Sequence, residues 1–450
     1  MGEVAVPADA YFGSQTQRAL ENFPIGTERI PQELIRAIAL IKKASAYVNR
    51  DLGLLPADKA QWIVLVCDEI LAGQWDEQFP LLVWQSGSGT QTNMNLNEVI
   101  SNRANELAGQ VKGSKRPIHP NDAVNLSQSS NDVFPSAMHL AVGLSIKQRL
   151  FPAIASLKQE LFEKSQAFQS IWMVGRTHLM DAAPLTLGQV FSGYHQQLVA
   201  AQETIEATFP HLYQLALGGT AVGTGLNAPP TYAEKVVDLL SRWTEESWTL
   251  VPNRFEALSC SDTLVEVSGA LRRMALALYK IANDLRWFSS GPDGGIGELI
   301  FPENEPGSSI MPGKVNPTQC EMVMMIATHV VGSDATVAFA GSQGNFQLHV
   351  ARPLIAYHLL SSIRLLGDAI QSFGARCVRG IRPNTARIQS HLDSCLMLAV
   401  LFNPILGYDQ TAKMVQKASK EGTSLKKAAL SLGLLTEEAF DLHLQRAFGL

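Results

Sequence analysis

From Gly307 to Pro317 the chain reads Gly-Ser-Ser-Ile-Met-Pro-Gly-Lys-Val-Asn-Pro. This segment brings together a pair of hydroxyls, an ammonium and a carboxamide. Its glycines and prolines forbid regular helix or strand. Lys314 and Asn316 can face an anion, while Ser308 and Ser309 lie in a stretch rich in backbone N–H. That equipment suits holding a small carboxylate and stabilising negative charge that develops on it. By composition alone, such a loop need only join two helices. A phosphate-cradling P-loop is excluded, because Pro312 occupies the turn and Val315 follows the lysine, where a Ser or Thr would hold Mg²⁺.

Four more polar segments, bounded by Gly or Pro, are placed where helical patterns begin or end. Ser86 to Asn95 offers neutral donors, among them Ser88, Thr90 and Asn93, and the same residues can cap a helix. Both uses draw on the N–H groups of a helix N-terminus. Ser127 to Asp132 repeats the theme with Ser129, Ser130 and Asn131. Thr177 and His178 follow Arg176 and precede Asp181, company that makes an apolar-core role for the imidazole improbable. His119, Pro120, Asn121 and Asp122 hold one His and one Asp with no second His four residues on, so no metal site is read there. The glycine-rich run Gly218 to Gly225 follows helical sequence, lacks a βαβ frame, and reads as a tight loop packed near a site.

Helical periodicity must position these loops. Leu264, Val267, Leu271, Met274, Leu278, Ile281 and Leu285 alternate spacings of three and four, a heptad seam. Val323, Ile326, Val330 and Val337 continue it after the signature loop, with Ser333 interrupting. Leu150, Ile154, Leu157 and Leu161 repeat the pattern, as do Leu34, Ile38, Ile41 and Val48. Alternating runs long enough for a sheet are scarce. The fold class predicted is therefore all-α, a central long-helix bundle with a few short strands. Breaker clusters at 113–120, 218–230, 291–317 and 380–383 suggest an N-terminal helical domain (1–130), a central bundle (131–380) carrying the 307–317 loop, and a small helical C-terminal domain (381–450). Seams this regular have more to bury than one subunit usually covers, which favours an oligomeric bundle.

Composition agrees with a globular protein. Of the 450 residues, 46% are hydrophobic and 17% charged, and the net charge is −5 with no basic block, so nucleic-acid binding has no electrostatic support. The cysteines Cys67, Cys260, Cys320, Cys377 and Cys395 are scattered and read as reduced thiols. No stretch approaches the roughly 20 apolar residues of a membrane helix; the longest candidate, Cys395 to Phe402, stops at Asn403-Pro404. Without a membrane span or a signal-peptide pattern after Met1, the expected location is the cytoplasm, or the mitochondrial matrix if a presequence was removed.

The string 307–317 resembles the signature of the fumarase/aspartase superfamily of lyases, and the resemblance covers nearly the whole chain. Within it the chain looks most like class II, iron-independent fumarase. The discriminating details are His178 after Arg-Thr, Ser129-Ser130 before Asn131-Asp132, His119 before Pro120-Asn121-Asp122, Gly313 in the signature, and Thr318 to Glu321 directly after it. An aspartase would have Gln for His178, Thr for Ser130 and Ala for Gly313. The resemblance implies a three-domain fold and a homotetramer whose active sites are shared between three chains. It also implies reversible hydration of fumarate to (S)-malate, as in the tricarboxylic acid cycle, with no cofactor or metal. The alternatives are an aspartate ammonia-lyase or related lyase, and a non-catalytic protein keeping the fold.

By the same resemblance, Ser308 is the base that takes a proton from carbon, and Lys314 and Asn316 stabilise the resulting dianionic aci-carboxylate. Thr90, Ser130 and Asn131 assist. His178 matches the group that activates water or protonates the leaving hydroxyl, and Glu321 would orient its ring. Ser88, Asn93, Ser129 and Thr177 position substrate. His119, Asn121 and Asp122 match a second anion site of the family. The chain departs from the family pattern at Met180 (usually Gln), Ala183 (often Thr), Val190 (usually Glu), Asp293 (usually Arg), Gln347 (usually Glu) and His349 (usually Asn).

Overall fold

The computed structural model describes residues 2–449. It is mainly helical, and strands among the described residues form four two-stranded sheets. The predicted heptad seam lies on the helix Asp262–Phe288, and all seven of its apolar positions are buried. The helix Thr318–Gly341 carries the continuation, with Val323, Val330 and Val337 buried. Ser333 is buried as well. Its hydroxyl lies 3.1 Å from His358 Nδ1 and 3.5 Å from His329 Nε2, so the seam runs through a polar contact instead of stopping.

This helix corrects one expectation. Its 24 residues, at a mean hydropathy of 1.4 in the most apolar window, are long and apolar enough to cross a membrane. Scattered Thr, Ser and Gly hid that from a search for unbroken apolar runs. Only 33% of the window is buried within the chain. Its C-terminal half is tied into protein structure, since buried Asp334 accepts from Ser268 Oγ at 2.7 Å and pairs with Arg272 at 2.6 Å.

The chain divides into two compact units. The first comprises the chain up to Ala153 with Ala201–Leu276 and Met325–Asp368. Here the helix Gln32–Asp51 packs against Ala57–Leu71, Ser130–Ser145 and Tyr232–Thr244. Leu34, Ile35, Ile38 and Ile41 fill that contact, each burial stabilising by about 1.5–3 kcal/mol. The next inward position, four residues after Ile38, is Lys42, which is also fully buried.

The second unit comprises Ile154–Ala200, Ala277–Met324 and the chain from Ala369. Strands Trp172–Thr177 and Met180–Thr186 pair antiparallel, with an irregularity between Val174 and Arg176. The hairpin rests on the helix Thr385–Ser394 and the turn Leu396–Phe402. Val174 joins Leu392, Leu398, Phe402, Met414 and Phe440 in that core. Packing holds the base of the hairpin and leaves its tip in solvent.

Candidate active site

In the first unit, the Ser86–Asn95 segment bends into the helix Thr90–Leu107 at Gly89, whose φ of +77° is left-handed. A Cβ there would stand 2.3 Å from the Phe134 ring, so the turn needs glycine twice over. The turn lines up a row of hydroxyls. Ser86 and Ser88 are 2.8 Å apart, Ser88 and Thr90 2.8 Å, and Thr90 and Ser130 2.9 Å. Thus Ser88, Thr90 and Ser130 do come together, from two different helix N-termini.

Ser129 is the N-cap of the helix Ser130–Ser145: its hydroxyl accepts from Asn131 N–H at 3.2 Å, and its own N–H donates to Asp132 at 2.9 Å. Its side chain is engaged in that capping box. Asn131 reaches out of the same turn, donating through Nδ2 to the Ala221 carbonyl at 2.8 Å. Buried Asp132 also accepts from Gly218 N–H at 3.0 Å and Thr220 N–H at 2.9 Å, which pins the glycine-rich 218–225 run beside this row. Burial pushes the Asp132 carboxyl up to about 6, against backbone donors that favour its charged form.

Asn93 lies deeper, 2% exposed, with Nδ2 donating to Asn125 Oδ1 at 3.1 Å and its own Oδ1 unpartnered. Lys42 approaches the same Asn125 oxygen at 3.3 Å and Gln128 Oε1 at 3.4 Å. Without a carboxylate in ion-pair contact, burial pushes the Lys42 ammonium down to about 7. Arg352, fully buried, donates to the carbonyls of Asn131 and Leu258 at 2.9 and 2.7 Å and fixes the backbone of the row from behind.

His119, Asn121 and Asp122 form a wide turn at 120–124. The N–H groups of Asn121 and Asp122 both donate to His119 Nδ1 at 3.2 Å. A nitrogen accepting two bonds carries no proton, so the Asp122 carboxylate 3.3 Å from it is a neighbour and not a hydrogen-bonded ion pair.

In the second unit, the signature loop folds back on itself. Gly307 N–H donates to the Lys314 carbonyl at 2.8 Å, and Asn316 Nδ2 to the Gly307 carbonyl at 2.8 Å. A Cβ on Gly307 would sit 2.5 Å from the Lys314 carbonyl oxygen, so the closure requires glycine. Ser308 Oγ accepts from the backbone N–H groups of Ile310 and Met311 at 3.2 and 3.3 Å. Two fixed dipoles therefore aim at the one oxygen that would carry charge as an alkoxide. Lys314 is exposed at the loop's rim. Asn316 spends one amide N–H on loop closure and keeps a second.

Sequence reasoning placed Thr177 and His178 at a helix boundary; they stand at the tip of the hairpin instead. Thr177 pairs with Met180, so His178 and Leu179 make a two-residue turn with φ of +58° and +62°. Such a turn favours Asn-Gly, and two ordinary side chains in left-handed conformation store of order 1–2 kcal/mol each. Thr177, His178, Leu179 and Met180 are all exposed. Below them, Arg176 is clamped by Glu298 through two bonds of 2.6 and 2.8 Å, and His391 Nδ1 lies 2.7 Å from the same carboxylate. The Glu298 side chain has no exposed surface. Local strain at the tip is thus held against a buried charged anchor.

The histidine–carboxylate contacts among the described residues are His119–Asp122 and His391–Glu298, and His178–Glu321 is not one of them. Glu321 is exposed on the first turn of the helix Thr318–Gly341. Sequence reasoning missed Lys42, Glu298, Arg352 and the role of Asp132. Lys42 alone left a signal, a cation at an apolar seam position.

The comparisons with known proteins decide the family. A model described as Lyase matches residues 2–332, and one described as Fumarase C C-terminus matches residues 398–446. Fumarate hydratase class II of Thermosynechococcus vestitus is 57% identical over 441 residues, spanning 98% of this chain and 94% of that protein. The protein of the same name from Ralstonia nicotianae is 54% identical over 440 residues, spanning 98% and 95%. The chain belongs to the class II fumarase family of lyases. A crystal structure of class II fumarase from Schistosoma mansoni agrees with this fold at a TM-score of 0.96 and 41% identity, covering 100% of this chain and 98% of that one. These relatives bear fumarase names, not ammonia-lyase names. One departure from the family pattern is accounted for locally: buried His349 donates from Nε2 to the Ala340 carbonyl at 3.0 Å and accepts from Ala351 N–H at 3.3 Å.

Proposed function

We propose that this chain catalyses the reversible hydration of fumarate to (S)-malate through a carbanion, with Ser308 as the base. In dehydration, Ser308 takes the proton from the carbon beside one carboxylate. The electron pair spreads onto that carboxylate, and the neighbouring C–O bond then breaks. His178 delivers a proton to the departing hydroxide, so malate yields fumarate and water. The observation that carries the reading is the pair of backbone N–H groups converging on Ser308 Oγ. They lower the cost of an oxyanion that a free serine could not sustain. Lys314 and the second N–H of Asn316 face the growing charge, and donors of this kind contribute about 3–4 kcal/mol each. The Ser88–Thr90–Ser130 row and Asn131 hold the other carboxylate.

The proposal includes a homotetramer with sites assembled from three chains. Within one chain, His178 and Glu321 stay apart and exposed, as a shared site requires. The apolar residues Met325, Phe339, Leu276 and Trp287 are 68%, 75%, 52% and 47% exposed on the long helices and call for partner helices. Free thiols at all five cysteines support a cytoplasmic or other reducing compartment. The experiment is malate dehydration followed by fumarate absorbance, with and without ammonium. Wild type should turn over independently of ammonium, and Ser308→Ala should lose at least about a hundredfold in kcat. Undiminished turnover by Ser308→Ala would remove the mechanism.

A further inference from the structure

Three polar side chains follow one another along the otherwise apolar inner face of the helix Gln32–Asp51. Lys42, Ser45 and Asn49 are spaced by three and four residues and are at most 1% exposed. Two of them serve the segment that leads into the hydroxyl row. Asn49 donates from Nδ2 to the Leu126 carbonyl at 3.0 Å and accepts from Ser127 Oγ at 2.9 Å. That grip holds Ser127 in a left-handed conformation, at φ +63°. Lys42 donates to Asn125 Oδ1 at 3.3 Å and to Gln128 Oε1 at 3.4 Å. Both oxygens are fixed as acceptors, because the amide nitrogens beside them donate to backbone carbonyls. Asn125 Nδ2 bonds to the Gln128 carbonyl, and Gln128 Nε2 to those of Val124 and Leu126. Asn125 Oδ1 also accepts from Asn93 Nδ2 at 3.1 Å, and Asn93 lies one helical turn after Thr90 of the row.

Charge is what this arrangement leaves unbalanced. Buried ions are ordinarily paired. Lys42 and Arg352 are fully buried cations behind the row, and among the described residues neither pairs with a carboxylate. Amide and carbonyl oxygens meet them instead. The buried carboxylate of this region, Asp132, is already taken by the N–H groups of Ser129, Gly218 and Thr220. The row itself offers uncharged hydroxyls to a charged ligand. Resting on the fumarate hydration proposed above, we propose that Lys42 is a positioning residue for the carboxylate held by the row, supplying through Asn125 and Asn93 the positive charge that the hydroxyls lack. Burial alone pushes the Lys42 ammonium down to about 7, and an anion at the row offsets that cost. Two hydrogen bonds and one helical turn separate Nζ from Thr90, a span of about 10 Å. Across it, at an effective dielectric of about 20, a unit charge changes carboxylate affinity about tenfold.

The test compares Lys42→Met and Lys42→Gln with wild type as full chains, the second variant keeping an N–H donor while losing the charge. Both should raise KM for malate and for fumarate about tenfold. The inhibition constant of succinate, an unreactive dicarboxylate, should rise to match. Turnover at saturation should stay within about threefold of wild type, the pattern left when binding common to ground and transition states is removed. Ser45→Ala is the structural control, because its hydroxyl bonds to Tyr232 Oη at 2.7 Å and not to the segment before the row. It should lower the urea midpoint and leave KM unchanged. A wild-type KM in both Lys42 variants, or an equal rise in Ser45→Ala, overturns the inference and leaves the hydration reaction standing. Wild type without malate turnover would strike the reaction and this inference together.

Discussion

Replacing Glu298 tests how the hairpin presents His178. The Glu298 carboxylate has no exposed surface, forks onto Arg176 at 2.6 and 2.8 Å and meets His391 at 2.7 Å. Glu298→Ala leaves the Arg176 guanidinium, 18% exposed, without its counter-charge. Breaking such a pair from one side costs about 3–5 kcal/mol. His178 lies two residues beyond Arg176, a lever of about 7 Å along an extended strand. Movement of about 1 Å at the tip is enough to cost about a hundredfold in rate. Glu298→Gln keeps the volume and one acceptor, and should fall between wild type and Ala. The assays are urea unfolding followed by circular dichroism, and kcat for malate dehydration at a temperature where each variant is folded. Pairing Glu298→Leu with Arg176→Met removes both charges and should restore most of the stability without restoring kcat. That split separates anchoring from mere folding. Should Glu298→Ala stay within about 1 kcal/mol and twofold in kcat of wild type, the anchor argument is wrong.

Two further expectations concern buried charge and strain. The Lys42 ammonium, down from 10.5 to about 7, carries a burial cost of roughly 5 kcal/mol in full at pH 7 and below. The unfolded chain keeps that proton up to pH 10.5 and the folded chain does not, so wild-type stability should gain from this group as pH rises through that window. Lys42→Met should therefore be most favourable relative to wild type near pH 7, with the difference shrinking toward pH 10.5 in denaturant titrations. A difference that stays flat with pH would contradict the burial argument. Leu179 has φ of +62° and is 74% exposed, so Leu179→Gly should stabilise the chain by about 1 kcal/mol through relief of left-handed strain. A marked loss in the same titration would show that the turn is not strained.

The helical frame was legible because its signal is periodic and local. Every seam position from Leu264 to Leu285 is buried, as are Leu34, Ile38, Ile41 and Val48. The signature loop was legible because glycine and proline dictate its path, and the donors around Ser308 come from residues two and three positions on. The hairpin was not. Trp172 to Thr177 is half buried and short, and the His178-Leu179 turn lacks the glycine or asparagine that announces such turns. Glu298 and Arg352 escaped for a different reason. Their partners stand 122 and 221 residues away in sequence, at Arg176 and Asn131, and nothing in a local window shows that a charge will be buried. Ser129 and Ser333 show the limit of residue type: the hydroxyl that the resemblance assigns to positioning substrate also caps a helix, and the one that interrupts the seam's periodicity is buried within it.

Subunit hybrids test the central claim most directly. Ser308→Ala disables the loop, and Thr90→Val disables the hydroxyl row, so each variant alone should be nearly inactive. Unfolding the two together in equal amounts and refolding them produces mixed oligomers. If a working site joins the loop of one chain to the row of another, about a quarter of the sites regain both intact parts, and about a quarter of wild-type turnover returns. If each site is built within one chain, mixing restores nothing, and the shared-site account fails.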